Sequence, residues 1–224
     1  MGNGVGINKE IFYYKGDRQD MLRYVPPFSK RILEVGCGEG AFAQLLLNEN
    51  REIWGVELNE VAAKKASEVL YKVYVDAIEN VINDLPDKYF DLIIFNDVLE
   101  HLIDPHEVLA KIRQKLIIKG KIIASIPNLR FAKVMFNLIV KKDFTYTEMG
   151  ILDSTHLRFF TVKTMRDLFR ESGYQIDLVE GINQSRSFLA KAFVLLISLL
   201  TLRSNNDALF PQYVIIATTE DSKA

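Results

Sequence analysis

The chain has 224 residues, 49% of them hydrophobic, which is enough for one large domain with a substantial core. Its 28 Lys+Arg against 29 Asp+Glu give a formal net charge of -1, so no basic excess points to a nucleic-acid backbone. The lone Cys37 excludes an internal disulfide. With only three histidines (His101, His106, His156) and no H-E-x-x-H pattern, no metal is expected.

The N-terminal Met1-Gly-Asn-Gly-Val-Gly lacks the apolar core of a signal peptide, which makes a cytoplasmic location the expectation. An apolar β-type run at 31–35 then feeds into three glycines spaced two apart, Gly36, Gly38 and Gly40. An apolar helical pattern follows at 41–48. Glycine tolerates φ > 0 and has no Cβ, so the backbone can turn sharply and lie against a ligand. A helix that starts at such a turn offers unpaired N–H groups and its positive dipole end to an anionic group. Strand, glycine turn and helix together mark a nucleotide-type cofactor site in an open α/β sheet.

Further strands are expected at 52–57, 72–75, 90–95 and 121–125, with helices at 60–71 and 105–116 between them. That alternation signals a parallel sheet with crossover helices. Asp104-Pro105 supplies an N-cap acceptor and a proline at the first helical position, and Lys119-Gly120 the turn into the fifth strand. After Pro127 the pattern changes to an amphipathic helix at 128–140, a polar-aromatic loop at 141–160, and a helix at 162–172 stopped by Gly173. Two late strands, 175–181 and 212–219, flank an apolar stretch at 188–202 with twelve apolar residues in fifteen. As a helix that stretch spans roughly 22 Å, short of the ~30 Å hydrocarbon core. It reads as a buried or subunit-interface helix, with membrane-surface contact as the alternative. No repeat or linker divides the chain. One domain is expected, comprising an N-terminal lid (1–28), a cofactor-binding core (29–127), a substrate cap (128–160) and C-terminal helices and strands (161–224).

Carboxylates recur at the strand ends. Glu57 lies twenty-one residues beyond Gly36 and is placed to accept hydrogen bonds from both ribose hydroxyls of an adenosine group, unless it only caps the strand. Asp76 is placed for an adenine amino group, with Ala77 and Ile78 shaping the base pocket, or as the N-cap of a short helix. Asn96-Asp97 ends the fourth strand beside the switch point. Gly36-x-Gly38-x-x-Ala41 also fits a dinucleotide fingerprint. Glu34, Asp76 and Asn96-Asp97 tilt the reading toward a positively charged cofactor. S-adenosylmethionine carries an ammonium and a sulfonium, and Glu34 would orient the loop or reach the ammonium through water. The chain also lacks a dehydrogenase-sized substrate domain and a Tyr-x-x-x-Lys pair.

The segments I-L-E-V-G-C-G-E-G, G-V-E-L-N, D-A-I-E-N, Y-F-D-L-I-I-F-N-D-V-L-E-H-L-x-D-P and K-G-K-I-I-A-S-I-P-N stand in that order over 31–128. They resemble the ordered motifs of class I S-adenosylmethionine-dependent methyltransferases. Glu100-His101-Leu102 is similar to the signature of ubiquinone-biosynthesis-type O-methyltransferases. Two outer segments resemble a bacterial subfamily associated with glycan and surface-polysaccharide synthesis. They are Tyr13-Tyr14 with Arg18 and Asp20-Met21-Leu22, and G-I-L-D-S-T-H-L-R-F-F-T at 150–161.

The resemblance implies a Rossmann-like α/β fold: a seven-stranded, mostly parallel sheet with an antiparallel last strand and a small cap after the fifth. It implies methyl transfer from S-adenosyl-L-methionine, leaving S-adenosyl-L-homocysteine, to a small-molecule or sugar-linked acceptor, with oxygen favoured over nitrogen. The candidate cofactor-binding set is Glu34, Gly36, Cys37, Gly38, Gly40, Glu57, Leu58, Asp76, Ala77, Asn96, Asp97, Val98 and His101, with Tyr14 and Arg18 from the lid. Cys37 enters only as a small residue that the turn accommodates. Candidate bases are His156, Asp153, His101 and Asp97; candidate substrate contacts are His156, Arg158 and Tyr146. A nicotinamide-dependent oxidoreductase, an N-methyltransferase and a non-catalytic partner subunit stand as alternatives, as does a homodimer through 188–202.

Overall fold

The computed structural model describes residues 17–47 and 50–219. Its seven strands are β1 (Arg31–Val35), β2 (Glu52–Glu57), β3 (Lys72–Val75), β4 (Phe90–Asn96), β5 (Leu116–Pro127), β6 (Tyr174–Ile182) and β7 (Gln212–Thr219). The α-helices are α1 (Ala41–Leu46), α2 (Glu60–Ala66), α3 (Ile78–Val81), α4 (Pro105–Ile112), α5 (Ala132–Phe136), α6 (Val162–Glu171) and α7 (Phe188–Thr201). The strands form one sheet in the order β3-β2-β1-β4-β5-β7-β6. The first five pair in parallel, and β7 runs antiparallel to both β5 and β6. The expected α/β architecture is present, antiparallel last strand included.

The central strands read as nearly continuous apolar runs because both of their faces are covered. Leu33, Val35, Ile93, Phe95, Ile122 and Ala124 pack into one core with Val108, Leu109 and Ile112 of α4 and Met165, Leu168 and Phe169 of α6. Ile32, Leu92, Ile94 and Ile123 alternate with them and face a second core. That second core contains Phe42, Ala43 and Leu46 of α1, together with Met21 and Tyr24 from the 3-10 turn Gln19–Tyr24.

Several element bounds differ from the sequence reading, each for a visible reason. The helix expected at 60–71 stops at Ala66, because Tyr71 N–H is taken by Ile53 O (2.9 Å) at the entry to β3. The strand expected at 121–125 runs from Leu116 to Pro127. Lys119-Gly120 remains as an irregularity inside it, with Phe90 opposite Leu116 and Leu92 opposite Lys121. The helix expected at 128–140 starts only at Ala132. Asn128 spends its side chain on Arg130 N–H (3.0 Å) and on the carbonyls of Asp207 and Phe210 (2.9 and 3.0 Å), which makes a turn instead. The helix then continues as a π-helical turn, Asn137–Lys141.

Candidate active site

The glycine turn is built as its residue types require. Gly36, Gly38 and Gly40 have φ of 71, 54 and 82°. A Cβ on Gly36 would lie 2.6 Å from Val98 Cγ2, so the β1 turn and the β4 end touch without room for a methyl group. Gly38 N–H donates to Glu57 Oε2 (2.9 Å) and Asn59 N–H to Glu57 Oε1 (2.8 Å). The ribose-binding candidate is thereby fixed against the glycine turn, nearly buried, with Leu58 exposed beside it. Gly40 opens α1. Cys37 is buried, its Sγ 2.6 Å from where a Cβ on Gly55 would stand, and burial pushes its thiol pKa far up, which makes it inert.

Glu34 is 3% exposed. Burial, with the Glu57 charge added, raises its carboxyl to about 8 against the opposing effect of Asn96. Glu34 Oε2 and the side-chain amide of Asn96 are buried with no partner of normal hydrogen-bond geometry apart from their approach to each other. Orphaned polar atoms are costly inside a protein. Here they lie at the carboxyl ends of neighbouring strands, where an α/β sheet binds its ligand. They suit a ligand that brings polar hydrogens, as the ammonium of S-adenosylmethionine does. Asp76 is exposed at the end of β3 and is not the N-cap of α3, a position that Ala77 holds; its Oδ1 accepts from Ala77 N–H (2.7 Å) and Asn80 Nδ2 (2.9 Å), bonds that lower its pKa.

Asp97, with φ of 55°, sits in a network. It pairs with Arg18 and accepts from Gln212 Nε2 (2.6 Å) and Ser125 Oγ (3.2 Å). Arg18 also bonds Ser125 Oγ (3.1 Å) and Asp20 (3.1 Å). Burial raises the Asp97 carboxyl while Arg18 opposes that rise. Arg18 thus ties the start of the described chain to the switch point; Tyr13 and Tyr14 lie outside the described residues.

Beyond Asp97 the E-H-L turn meets the cap. Leu157 and Arg158 N–H both donate to Glu100 O (2.9 and 3.0 Å). His156 Nδ1 lies 3.0 Å from Ile151 O and His101 Nδ1 lies 3.2 Å from Thr155 O. A carbonyl only accepts, so in each neutral ring Nδ1 carries the hydrogen and Nε2 the lone pair. His156 Nε2 stands 4.0 Å from Glu100 Oε1, and the two rings meet edge to face at 4.7 Å. Glu100 is 1% exposed and neither carboxylate oxygen has a hydrogen-bond partner. Burial first, and the Asp97 charge next, hold its carboxyl well above the usual range. One ligand atom from each of Glu100, His101 and His156 falls within 4.8 Å of the others. Composition pointed away from a metal, yet the fold gathers a trio able to hold a divalent cation or to share a proton.

Asp153 serves the loop, its Oδ1 accepting from Thr155 N–H (2.8 Å) and Oγ1 (2.7 Å). Arg158 donates to the carbonyls of Ile103 and Leu157. Tyr146 joins Phe144 and Phe159 in an aromatic cluster with centroids 5.8–6.1 Å apart, and Phe159 also touches His156. The sequence reading did not single out Glu100 as a site residue, although the E-H-L signature contains it. It gave no sign of Gln212, which reaches Asp97 only because β7 inserts antiparallel beside β5.

A family model described as a methyltransferase domain matches residues 13–179. The ubiquinone biosynthesis O-methyltransferase of Proteus mirabilis is 28% identical over 144 residues, which are 62% of this chain and 56% of that enzyme. Among solved structures, a SAM-dependent methyltransferase from Archaeoglobus fulgidus aligns with a TM-score of 0.63 at 23% identity, over 96% of this chain and 91% of that one. A SAM-dependent methyltransferase from Thermotoga maritima, described as a possible histamine N-methyltransferase, gives 0.65 at 19% identity over 96% of both chains. The chain therefore belongs to the class I methyltransferase-domain family, enzymes that take the transferred methyl group from S-adenosylmethionine.

Proposed function

We propose that this enzyme methylates a hydroxyl of a small-molecule or sugar-linked acceptor, with His156 receiving the proton. The observation that carries this reading is the His156–Glu100 pair beneath the cap loop. The tautomer of His156 is set by Ile151 O, and its Nε2 faces a buried carboxyl group. Glu34, the glycine turn, Glu57, Leu58, Ala77 and Asn96 would hold the cofactor. Bound S-adenosylmethionine supplies an electrophilic methyl group on a sulfonium, so the protein need not generate a leaving group. Its tasks are alignment, worth up to ~7–11 kcal/mol in favourable cases, and removal of the acceptor proton.

In this reading the acceptor hydroxyl donates to His156 Nε2 and the proton passes to the imidazole as the oxygen–methyl bond forms. Burial keeps the resting Glu100 carboxyl protonated, and the positive charge arriving on His156, 4.0 Å away, favours its ionised form, so that the buried pair shares the proton. His101 packs edge-on against that ring and fixes its plane. Tyr146, Phe144 and Phe159 supply an apolar wall on which a sugar or aromatic ring can stack.

The test has two parts. S-adenosylhomocysteine binding by calorimetry, lost in Glu57→Ala, establishes the cofactor site. Transfer of labelled methyl from S-adenosylmethionine to a panel of nucleotide sugars, glycans and phenols finds the acceptor. His156→Ala then lowers kcat by about 10²–10⁴-fold with unchanged cofactor affinity. Normal turnover in that variant removes His156 as the base, and transfer confined to amines moves the enzyme to nitrogen.

A further inference from the structure

Helix α7 presents a second problem, independent of methyl transfer. Its inner side, Ala190, Phe193 and Val194, packs on Ala132 and Met135 of α5 and on Ala208 and Leu209. Its outer side is apolar as well. Phe188, Leu189, Leu195, Leu196, Leu199 and Leu200 fall at the spacing of one helical face, and each is exposed, from 54% to 80%. A surface helix ordinarily turns polar residues outward. Among the described residues nothing covers this face, so of the buried or subunit-interface helix expected from sequence the single chain buries only the inner side.

The helix is nonetheless firmly built. Ser187 caps its start by accepting from Ala190 N–H (3.4 Å), and Asn205 Nδ2 donates to Thr201 Oγ1 (3.0 Å) and Arg203 O (2.9 Å) at its end. Binding through it would pay little ordering cost. The apolar surface continues onto the neighbouring π-helical turn, where Leu138, Ile139 and Val140 are exposed. The Phe136–Phe193 ring contact (5.5 Å) joins the two helices.

Charge identifies the occupant. Segments 129–142 and 184–206 together contain seven Lys/Arg and no Asp/Glu, in a chain whose formal net charge is -1. Beside the leucines runs an open groove of about 420 Å³, with Lys191 and Arg203 among its lining residues and Val194, Leu195, Leu199 and Leu202 along its walls. Apolar side chains flanked by cations match the boundary between anionic headgroups and acyl chains, although one of the seven, Arg130, is already paired with Asp207 (3.2 Å). A second copy of the chain would set these cations against one another. No helix among the described residues is long and apolar enough to cross a membrane. We infer that α7 and the π-helical turn dock in the plane of an anionic phospholipid bilayer.

The full chain, incubated with extruded vesicles of phosphatidylglycerol and phosphatidylcholine, is expected to co-sediment with them. Binding is expected to be at least tenfold weaker to phosphatidylcholine alone. Leu196→Asp/Leu200→Asp abolishes sedimentation, and Lys191→Glu/Arg203→Glu weakens it on the anionic vesicles only. Thermal melting of each variant serves as the folding control. The inference fails if the parent binds neither vesicle or if the leucine variant sediments like the parent. It fails equally if the chain is a dimer that the leucine variant dissociates, which would assign this face to a second copy.

Discussion

Glu34→Gln separates two consequences of one buried carboxyl group. The side chain is 3% exposed and its pKa is raised from 4.5 to about 8, mainly by burial. A carboxyl group with a raised folded pKa holds its proton more tightly in the native state. Stability therefore falls as pH rises from 4.5 toward 8, and the full cost applies above 8. At about 1.36 kcal/mol per pH unit the bound is about 5 kcal/mol, and relaxation around the charge reduces it to roughly 2–5. Gln keeps the size of the side chain and cannot ionise. The variant is expected to melt about 4–20 °C higher than the parent at pH 8.5, using ~2–4 °C per kcal/mol for a domain of this size, with a far smaller difference at pH 5. Affinity moves the other way: without the carboxylate facing the cofactor cation, S-adenosylmethionine binds about tenfold or more weakly. Circular-dichroism melts from pH 5 to 9 and calorimetric titration measure the two effects. A stabilisation that is the same at every pH would falsify the burial argument, and unchanged affinity would sever Glu34 from the cofactor.

Gly36→Ala forces a side chain onto φ of 71° and into Val98, so cofactor binding falls at least tenfold while the sheet still folds; unaltered binding would show that the turn yields freely. Arg18→Met strands the half-buried Asp97 charge and costs about 1–2 kcal/mol in urea unfolding at pH 8. Because Asp97 already holds its proton more tightly than usual, that loss shrinks toward pH 5, and a pH-independent loss would refute the account. Glu100→Gln lowers kcat without altering the KM for S-adenosylmethionine. Treatment with a chelator leaves the parent rate unchanged if Glu100, His101 and His156 share a proton, and loss restored by a divalent cation would reassign the trio.

The first four strands and the glycine turn were readable because their signals are local. Strand alternation and three glycines specify β1 to β4 and the turn between them, and Glu57 at the end of β2 is bonded to the Gly38 N–H of that turn. What escaped depends on contacts remote in sequence. Asn128 ended the helical pattern early by bonding carbonyls near residue 210, and β5 was extended forward to Pro127 by pairing with β7 and back to Leu116 by pairing with β4. Glu100 was visible in a motif, but its burial against His156 needed the cap loop folded over it. The face of α7 was hidden for a simpler reason. A helix apolar all round carries no periodicity that says which side meets the protein.

The strand order also bears on how the chain assembles. Among the described residues β6 pairs with the sheet only through β7, which follows it in sequence, so strands one to five can zip up in order while β6 must wait for its successor. The last strand brings Gln212 to Asp97, which Arg18 approaches from the other end of the chain. Contacts of such long sequence separation form late and slowly. A growing polypeptide can complete its glycine turn early, yet the polar knot beside it closes only when residue 212 arrives. Partial chains released before that point would carry an unfinished site and an unpaired strand edge, the species most exposed to aggregation and proteolysis.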